Sequence, residues 1–183
     1  DPEVTYDGPL AVLVNRTSAS ASEIFAGAIQ DYQRGLVLGG QTFGKGTVQE
    51  IIGMDYGQVK LTRSKFYRIS GESTQHRGVI PDIAFPDFYD AYDDIGESSL
   101  DGALPWDTVR PVEYRRYNPI NEILPALKVK HEARALSSPD FKYLRDQITR
   151  TKRSREREKI SLNEVFVKAE RESLRREEFD ADN

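Results

Sequence analysis

Two side chains in this sequence are of the types that together carry out acyl transfer: Ser20, within Ser18-Ala19-Ser20-Ala21-Ser22-Glu23, and Lys45, within Gly44-Lys45-Gly46. A serine attacks a carbonyl when a neighbouring base takes its proton, and a lysine serves as that base when burial or positive potential favours its neutral form. The serine run stands where an apolar segment gives way to a helical pattern. There the first helical turn offers unpaired N–H groups and the positive end of the dipole, which stabilise an oxyanion. A plainer reading also fits, because Ser20 and Glu23 spell an S-x-x-E capping box. Lys45 in turn reads as a solvated turn residue, or as the end of G-x-x-x-x-G-K, since Gly39, Gly44 and Lys45 match that spacing. Against a phosphate loop, position 46 is glycine rather than the Ser or Thr that would hold magnesium. The residues after Thr47 also read as strand, where a phosphate loop opens a helix.

The elements that must position these residues are legible from hydrophobic patterning. Leu10 to Asn15 form a continuous apolar run, expected as a buried strand. Ile24, Phe25, Ala28, Ile29 and Tyr32 lay one apolar stripe along a helix, with Gly35 at the expected C-terminal cap. Leu36 to Leu38 give a second short strand, so the order predicts a βαβ unit with parallel strands and a right-handed crossover. Thr47 to Ile52 and Gln58 to Ile69, around Asp55-Tyr56-Gly57, predict an antiparallel hairpin. A serine at a helix start and a lysine beyond the next parallel strand would then meet at one end of the sheet, where α/β folds place their sites.

Beyond Pro81 the composition changes. Residues 87–102 are acidic, with Asp87, Asp90, Asp93, Asp94, Glu97 and Asp101, and are expected as a linker or a surface-hugging loop. From Pro119 the pattern is helical. Ile120, Ile123, Leu124 and Leu127 mark one helix, Phe141, Leu144 and Ile148 another after the Ser138-Pro139 cap, and Ser161-Leu162-Asn163-Glu164 a capping box for a third. The expected organisation is residues 1–86 as an α/β block, 87–102 as linker and 103–183 as a helical domain.

Composition narrows the chemistry. The 183 residues contain no cysteine, which excludes disulfides, thiolate zinc sites and a cysteine nucleophile. His76 and His131 are the two histidines, so a Ser/His/Asp triad would need one of them, and a histidine metal cage is not expected; no cofactor is called for. Asp82 reads as a turn residue rather than a catalytic acid. A net charge of -4 argues against nucleic acid as a main partner. The basic run from Arg150 to Lys159 is interrupted by Glu156 and Glu158 and lacks interleaved aromatics, so it reads as a solvated helix face. No apolar run approaches the length of a membrane span. The chain opens at Asp1-Pro2-Glu3 without Met or leader and is expected to be a piece of something longer.

VNRTSASASEIFAGAIQDY, TFGKGTVQ and STQHRGVIPDI resemble the active-site blocks of the C-terminal processing peptidases, and within them the tail-specific proteases. The resemblance covers roughly residues 4 to 86, and the segment from ALPWD at Ala103 to about Arg176 resembles the helical C-terminal extension of the tail-specific subgroup. It implies part of a ClpP/crotonase-like core followed by helices. It also implies a serine endopeptidase with Ser20 as nucleophile, Lys45 as base, Gln49 as the glutamine supporting that base, and the Ala21 N–H as one oxyanion-hole donor. The second donor, a PDZ domain that binds substrate C-termini, and further core segments would lie upstream. Substrates would be proteins with unstructured C-termini, in the periplasm or cell envelope. Two other readings stay open from the residues: a noncatalytic assembly or regulatory module, and a phosphate or nucleotide binder. An incomplete α/β core would leave an open sheet edge, from which self-association is expected.

Overall fold

The computed structural model describes residues 3–182, so residues 1, 2 and 183, at the outer ends of the two expected blocks, lie outside it. The first block is a βαβ unit: β1 (Ala11–Val14), α1 (Ala21–Asp31) and β2 (Leu36–Gly39), with β1 and β2 paired in parallel, Ala11 opposite Leu36 and Val14 opposite Gly39. The hairpin strands β3 (Thr47–Gly53) and β4 (Gln58–Lys65) follow, and then a two-residue strand, β5 (Ile83–Ala84). β5 adds to the other side of β2, also in parallel, giving the order β1-β2-β5. This third strand is absent from the sequence reading, since two residues are too few to set a period.

Val14, Ala26, Val37 and Val79 form the small apolar core beneath α1. The expectation of a fully buried first strand is corrected: β1 is the sheet edge, and Leu13 is 73% exposed on the face turned away from the core. α1 likewise does not bury the stripe expected of it. Glu23, Ala26 and Gly27 face inward while Ile24 and Phe25 are exposed; Ala26 packs in the core with Val14, Val37 and Val79, and Gly27 lies against the Arg68 side chain. The helix ends at Tyr32 rather than at Gly35. Gln33 takes the left-handed conformation (φ 51°), its N–H donates to the Gln30 carbonyl (3.0 Å) and that of Arg34 to Ile29 (2.9 Å), the paired bonds of a Schellman cap. Gly35 is needed for another reason: a Cβ there would lie 2.6 Å from the Leu10 carbonyl oxygen.

β3 and β4 form the expected antiparallel hairpin, with a register shift between Val48 and Gln49. After β4 the chain returns to the core: Arg68 donates to Asp31 through Nε (2.9 Å) and Nη2 (2.5 Å), tying the loop to the last turn of α1. Asp82, expected as a turn residue, organises the sheet instead, accepting from the Val37 N–H (2.7 Å) and from Gln30 Nε2 (2.9 Å).

Residues 87–102 carry two short 3₁₀ turns, Phe88–Ala91 and Glu97–Ser99, in which Ala91 and Glu97 are buried. Arg16 binds this segment, its N–H donating to Asp87 (3.2 Å) and its Nε to the Ile95 carbonyl (2.8 Å). Next, ALPWD folds back on the core. The Trp106 indole donates to the Ser73 carbonyl (2.9 Å) with the Arg77 guanidinium 3.6 Å from its ring centroid, and Lys65 Nζ binds Asp107 (2.6 Å).

Three helices follow: α2 (Ile120–Ser137), α3 (Pro139–Arg155) and α4 (Glu164–Asp182). Ser138 caps α3, as its position before Pro139 predicts, accepting from the Phe141 N–H. For α4 the cap is Asn163, which accepts from Val165 (3.0 Å) and Phe166 (3.2 Å), rather than Ser161. His131 stacks on Phe85 at 5.0 Å and meets Phe141 edge-on, so this imidazole joins the helices to the end of β5. In the basic run, Arg155 pairs with Asp94 (2.9 Å) and Arg157 with Glu170 (2.9 Å). Among the described residues no helix is long and apolar enough to cross a membrane.

Candidate active site

Ser20 is the residue on which β1 hands over to α1. Its backbone sits at φ 57°, ψ -113°, a conformation that costs a non-glycine residue about 1–3 kcal/mol and persists only where the surroundings enforce it. The enforcement is visible. Glu23 reaches back from the first helical turn to accept the Ser20 N–H (2.8 Å), while the Glu23 N–H is satisfied by the Ser20 carbonyl (2.9 Å).

Glu23 does far more than close a capping box. Its side chain is fully buried, and its two oxygens accept four hydrogen bonds: Oε1 from the Thr42 hydroxyl (2.5 Å) and the Gly44 N–H (2.6 Å), Oε2 from the N–H groups of Ser20 (2.8 Å) and Lys45 (2.9 Å). One carboxylate oxygen therefore bridges the main chains of Ser20 and Lys45, which lie 25 positions apart. The Phe43 N–H, donating to the Ser18 carbonyl (2.9 Å), adds a direct strap between the two loops. A buried carboxylate is tolerable only when its lone pairs are occupied, and here the polar backbone of both loops occupies them. Sequence reading found Glu23 but assigned it only to the helix cap; its role in gathering the second loop depends on tertiary contact.

Gly44 is required by this arrangement. It adopts φ 96°, and a Cβ there would stand 2.8 Å from the main chain of His76, whose N–H donates to the Gly44 carbonyl (2.8 Å). His76 thus supports the lysine loop through its backbone. The phosphate-loop reading fails on the same bonds: the Gly44 and Lys45 amides that would cradle a phosphate are held by a protein carboxylate, and β3, not a helix, follows.

Lys45 is half-buried, and Ala21 is the first residue of α1. Among the described hydrogen bonds the Ala21 N–H donates to no protein acceptor, as expected for an amide at the start of a helix. Gln49 stands apart from the group. It lies exposed on β3 beside the register shift, and its Nε2 donates to Thr62 Oγ1 across the hairpin (3.3 Å) rather than to Lys45.

With this geometry in view, residues 1–85 match the model of peptidase family S41, and residues 91–183 match that of the C-terminal domain of tail specific protease. The chain belongs to the tail-specific proteases of family S41. Within that family it is 42% identical over 182 residues to the tail-specific protease of Haemophilus influenzae, an overlap of 93% of this chain and 26% of that protein. It is 46% identical over 108 residues to the carboxy-terminal-processing protease of Bartonella bacilliformis, covering 56% of this chain and 25% of the relative. The solved photosystem II D1 C-terminal processing protease shares 44% identity over 42% of this chain and 20% of that one, with a TM-score of 0.40. The chain spans about a quarter of the length of these curated relatives. The S41 match takes in Ser20, Ala21, Lys45 and Gln49, while Glu97 and Asp107 fall in the C-terminal-domain match.

Proposed function

We propose that this chain supplies the nucleophile and the base of a serine endopeptidase that acts on proteins recognised by their C-terminal tails. The observation that carries the reading is the single Glu23 oxygen accepting both the Ser20 and the Lys45 N–H, because it ties together the two loops on which the hydroxyl and the amine are carried. Ser20 Oγ attacks the carbonyl carbon of the scissile peptide and Lys45 Nζ takes its proton. The Ala21 N–H donates to the oxyanion, and Lys45 returns the proton to the departing amine, leaving an acyl group on Ser20. Water activated by Lys45 then releases the acid. Gln49 orients Lys45 once the hairpin is packed against the rest of the protein.

Family membership supports protein substrates and a hydrolytic reaction. A periplasmic or envelope location is part of the same proposal, and both a bacterial tail-specific protease and a chloroplastic processing peptidase match the chain. The second oxyanion donor and the tail-binding PDZ domain are assigned to parts of the protein outside these residues. The test is cleavage of an unfolded protein with an apolar C-terminus by the full protein, beside its Ser20→Ala and Lys45→Ala variants. Loss of turnover in both supports the dyad; normal turnover in either overturns it.

A second reading, that the isolated chain is an inactive assembly module, draws on the exposure of Leu13 (73%) and Phe25 (55%) on β1 and α1. Apolar surface of this kind calls for a covering segment or a second copy, and self-association of the isolated chain is the expected consequence.

A further inference from the structure

The conformation of Lys45 is set by the two peptide planes on either side of its Cα, and each is held by a different buried side chain. The plane before it is held by Glu23, through the Lys45 N–H. The plane after it is held by Gln75, whose Oε1 accepts the Gly46 N–H at 2.9 Å. Gln75 is completely buried, and with its oxygen committed to Gly46 its amide nitrogen must face an acceptor. That acceptor is Glu97 Oε1, at 3.1 Å, on the second 3₁₀ turn of the acidic segment. Glu97 is itself buried, and its backbone N–H donates to the Phe43 carbonyl (2.9 Å), two residues before Lys45.

We infer that Gln75 and Glu97 are positioning residues for Lys45: a buried relay Glu97–Gln75–Gly46 fixes the lysine's ψ, and through it the direction of its side chain. The relay brings a residue of the C-terminal domain to the catalytic loop, so that domain contributes to placing the base as well as to the outer shape of the protein. This rests on the dyad reading above. Its logic is directional. Glu97 only accepts, Gln75 donates to it and accepts from Gly46, and no other assignment of the Gln75 amide satisfies both neighbours.

The directionality supplies the experiment, run on the full protein. Gln75→Glu retains an acceptor for Gly46 but sets a second carboxylate against Glu97, and is expected to lower kcat by about thirtyfold with KM within about twofold, the result of a displaced base rather than lost substrate binding. Glu97→Gln alone weakens one bond and is expected to lower kcat about threefold. The double variant Gln75→Glu/Glu97→Gln exchanges donor and acceptor and restores both bonds, so kcat is expected to return to within about threefold of the parent. Wild-type kcat in Gln75→Glu, a loss confined to KM, or a folded double variant no better than Gln75→Glu overturns the relay. Should Gln75→Glu fail to fold, Glu97→Gln decides: an unchanged kcat overturns the relay. Ser20→Ala and Lys45→Ala in the same assay separate the two levels, since turnover by either removes the dyad itself, whereas their inactivity beside an unaffected Gln75→Glu removes only the relay.

Discussion

Lys45 and Gln49 are four residues apart, yet they belong to regions held by different means. Lys45 lies between amides clamped by fully buried polar side chains, and its loop is strapped to the Ser20 segment by a main-chain bond from Phe43 to Ser18. Gln49 stands on a hairpin exposed along almost its whole length, where Ile51 and Leu61 are more than half open to solvent and the inward-facing Thr47 is the last buried residue of β3. Buried hydrogen bonds carry a high penalty for rearrangement because an unpaired polar group has no water to turn to. An exposed ladder has water as an alternative partner at every position. The backbones of Ser20 and Lys45 are therefore preset by this chain's own buried contacts, while Gln49 is held only by an exposed ladder.

The largest effect is expected from removing the clamp. Glu23→Ala leaves the N–H groups of Ser20, Gly44 and Lys45 without their acceptor and releases the strained Ser20 backbone. It is expected to lower kcat of the full protein by at least about a hundredfold and stability by about 3 kcal/mol, read by steady-state kinetics and urea unfolding. Glu23→Gln keeps the shape but presents donors to donors, and should fall between the variant and the parent. Activity near that of the parent in Glu23→Ala would mean that the two loops are held together from elsewhere.

What the sequence allowed and withheld follows the same division. The βαβ unit, the hairpin and the Ser138 cap were readable because each depends on residues close in the chain: a short apolar run, a turn, a serine before a proline. Ser20 and Lys45 could be singled out as candidates because their types and flanking small residues are local. The bridging of their amides by Glu23 was not, since an S-x-x-E pattern is fully accounted for by a helix cap and gives no sign of a partner 22 residues on. The inward face of α1 was misjudged for a related reason. Hydrophobic spacing assumes that the apolar stripe points to the core, whereas here the core-facing positions are occupied by a carboxylate and two small residues, and Ile24 and Phe25 await a covering surface. Likewise, Glu97 looked like one more charge in an acidic stretch, and only tertiary contact distinguishes it from its solvated neighbours.

Those uncovered residues give the second test, on the apolar surface rather than the polar site. In the isolated chain, Leu13→Asp with Phe25→Asp is expected to weaken self-association by about a hundredfold or more, as judged by sedimentation at several concentrations, because each substitution removes about 1.5–3 kcal/mol of burial from a contact. The Glu23 clamp faces the opposite side of α1, so the folded content of the variant should be retained. An association constant that does not change would place the contact on the hairpin or the helices.

A smaller effect is expected at Gln49. Gln49→Ala in the full protein should lower kcat by about fivefold to tenfold and leave unfolding unchanged, since its one described hydrogen bond is an exposed, long contact to Thr62. A large loss of stability would show that the hairpin is more tightly integrated than its exposure indicates. A loss of kcat as deep as that of Lys45→Ala would place Gln49 among the groups preset by the core.

The smallest effect concerns the foot of the hairpin, where the exposed ladder meets its anchor. Lys65, the last residue of β4, donates to Asp107, and Tyr67 donates to the same carboxylate (3.1 Å). The Lys65 hydrogen bond above all, with that of Tyr67, holds the Asp107 carboxyl below the usual carboxylate range against the opposing effect of desolvation. A carboxyl whose value is depressed in the folded protein stabilises that state above the unfolded value, and the contribution disappears as pH falls through the folded one. Asp107→Asn should therefore show a slightly lower Tm than the parent at neutral pH, with the difference closing below about pH 4. Because the ion pair is partly open to water, added salt should narrow the difference as well. A Tm difference that persists unchanged into acid would assign the anchoring to Trp106 and the Ser73 main chain instead, and leave the hairpin's foot held by the same kind of buried contact as the lysine loop.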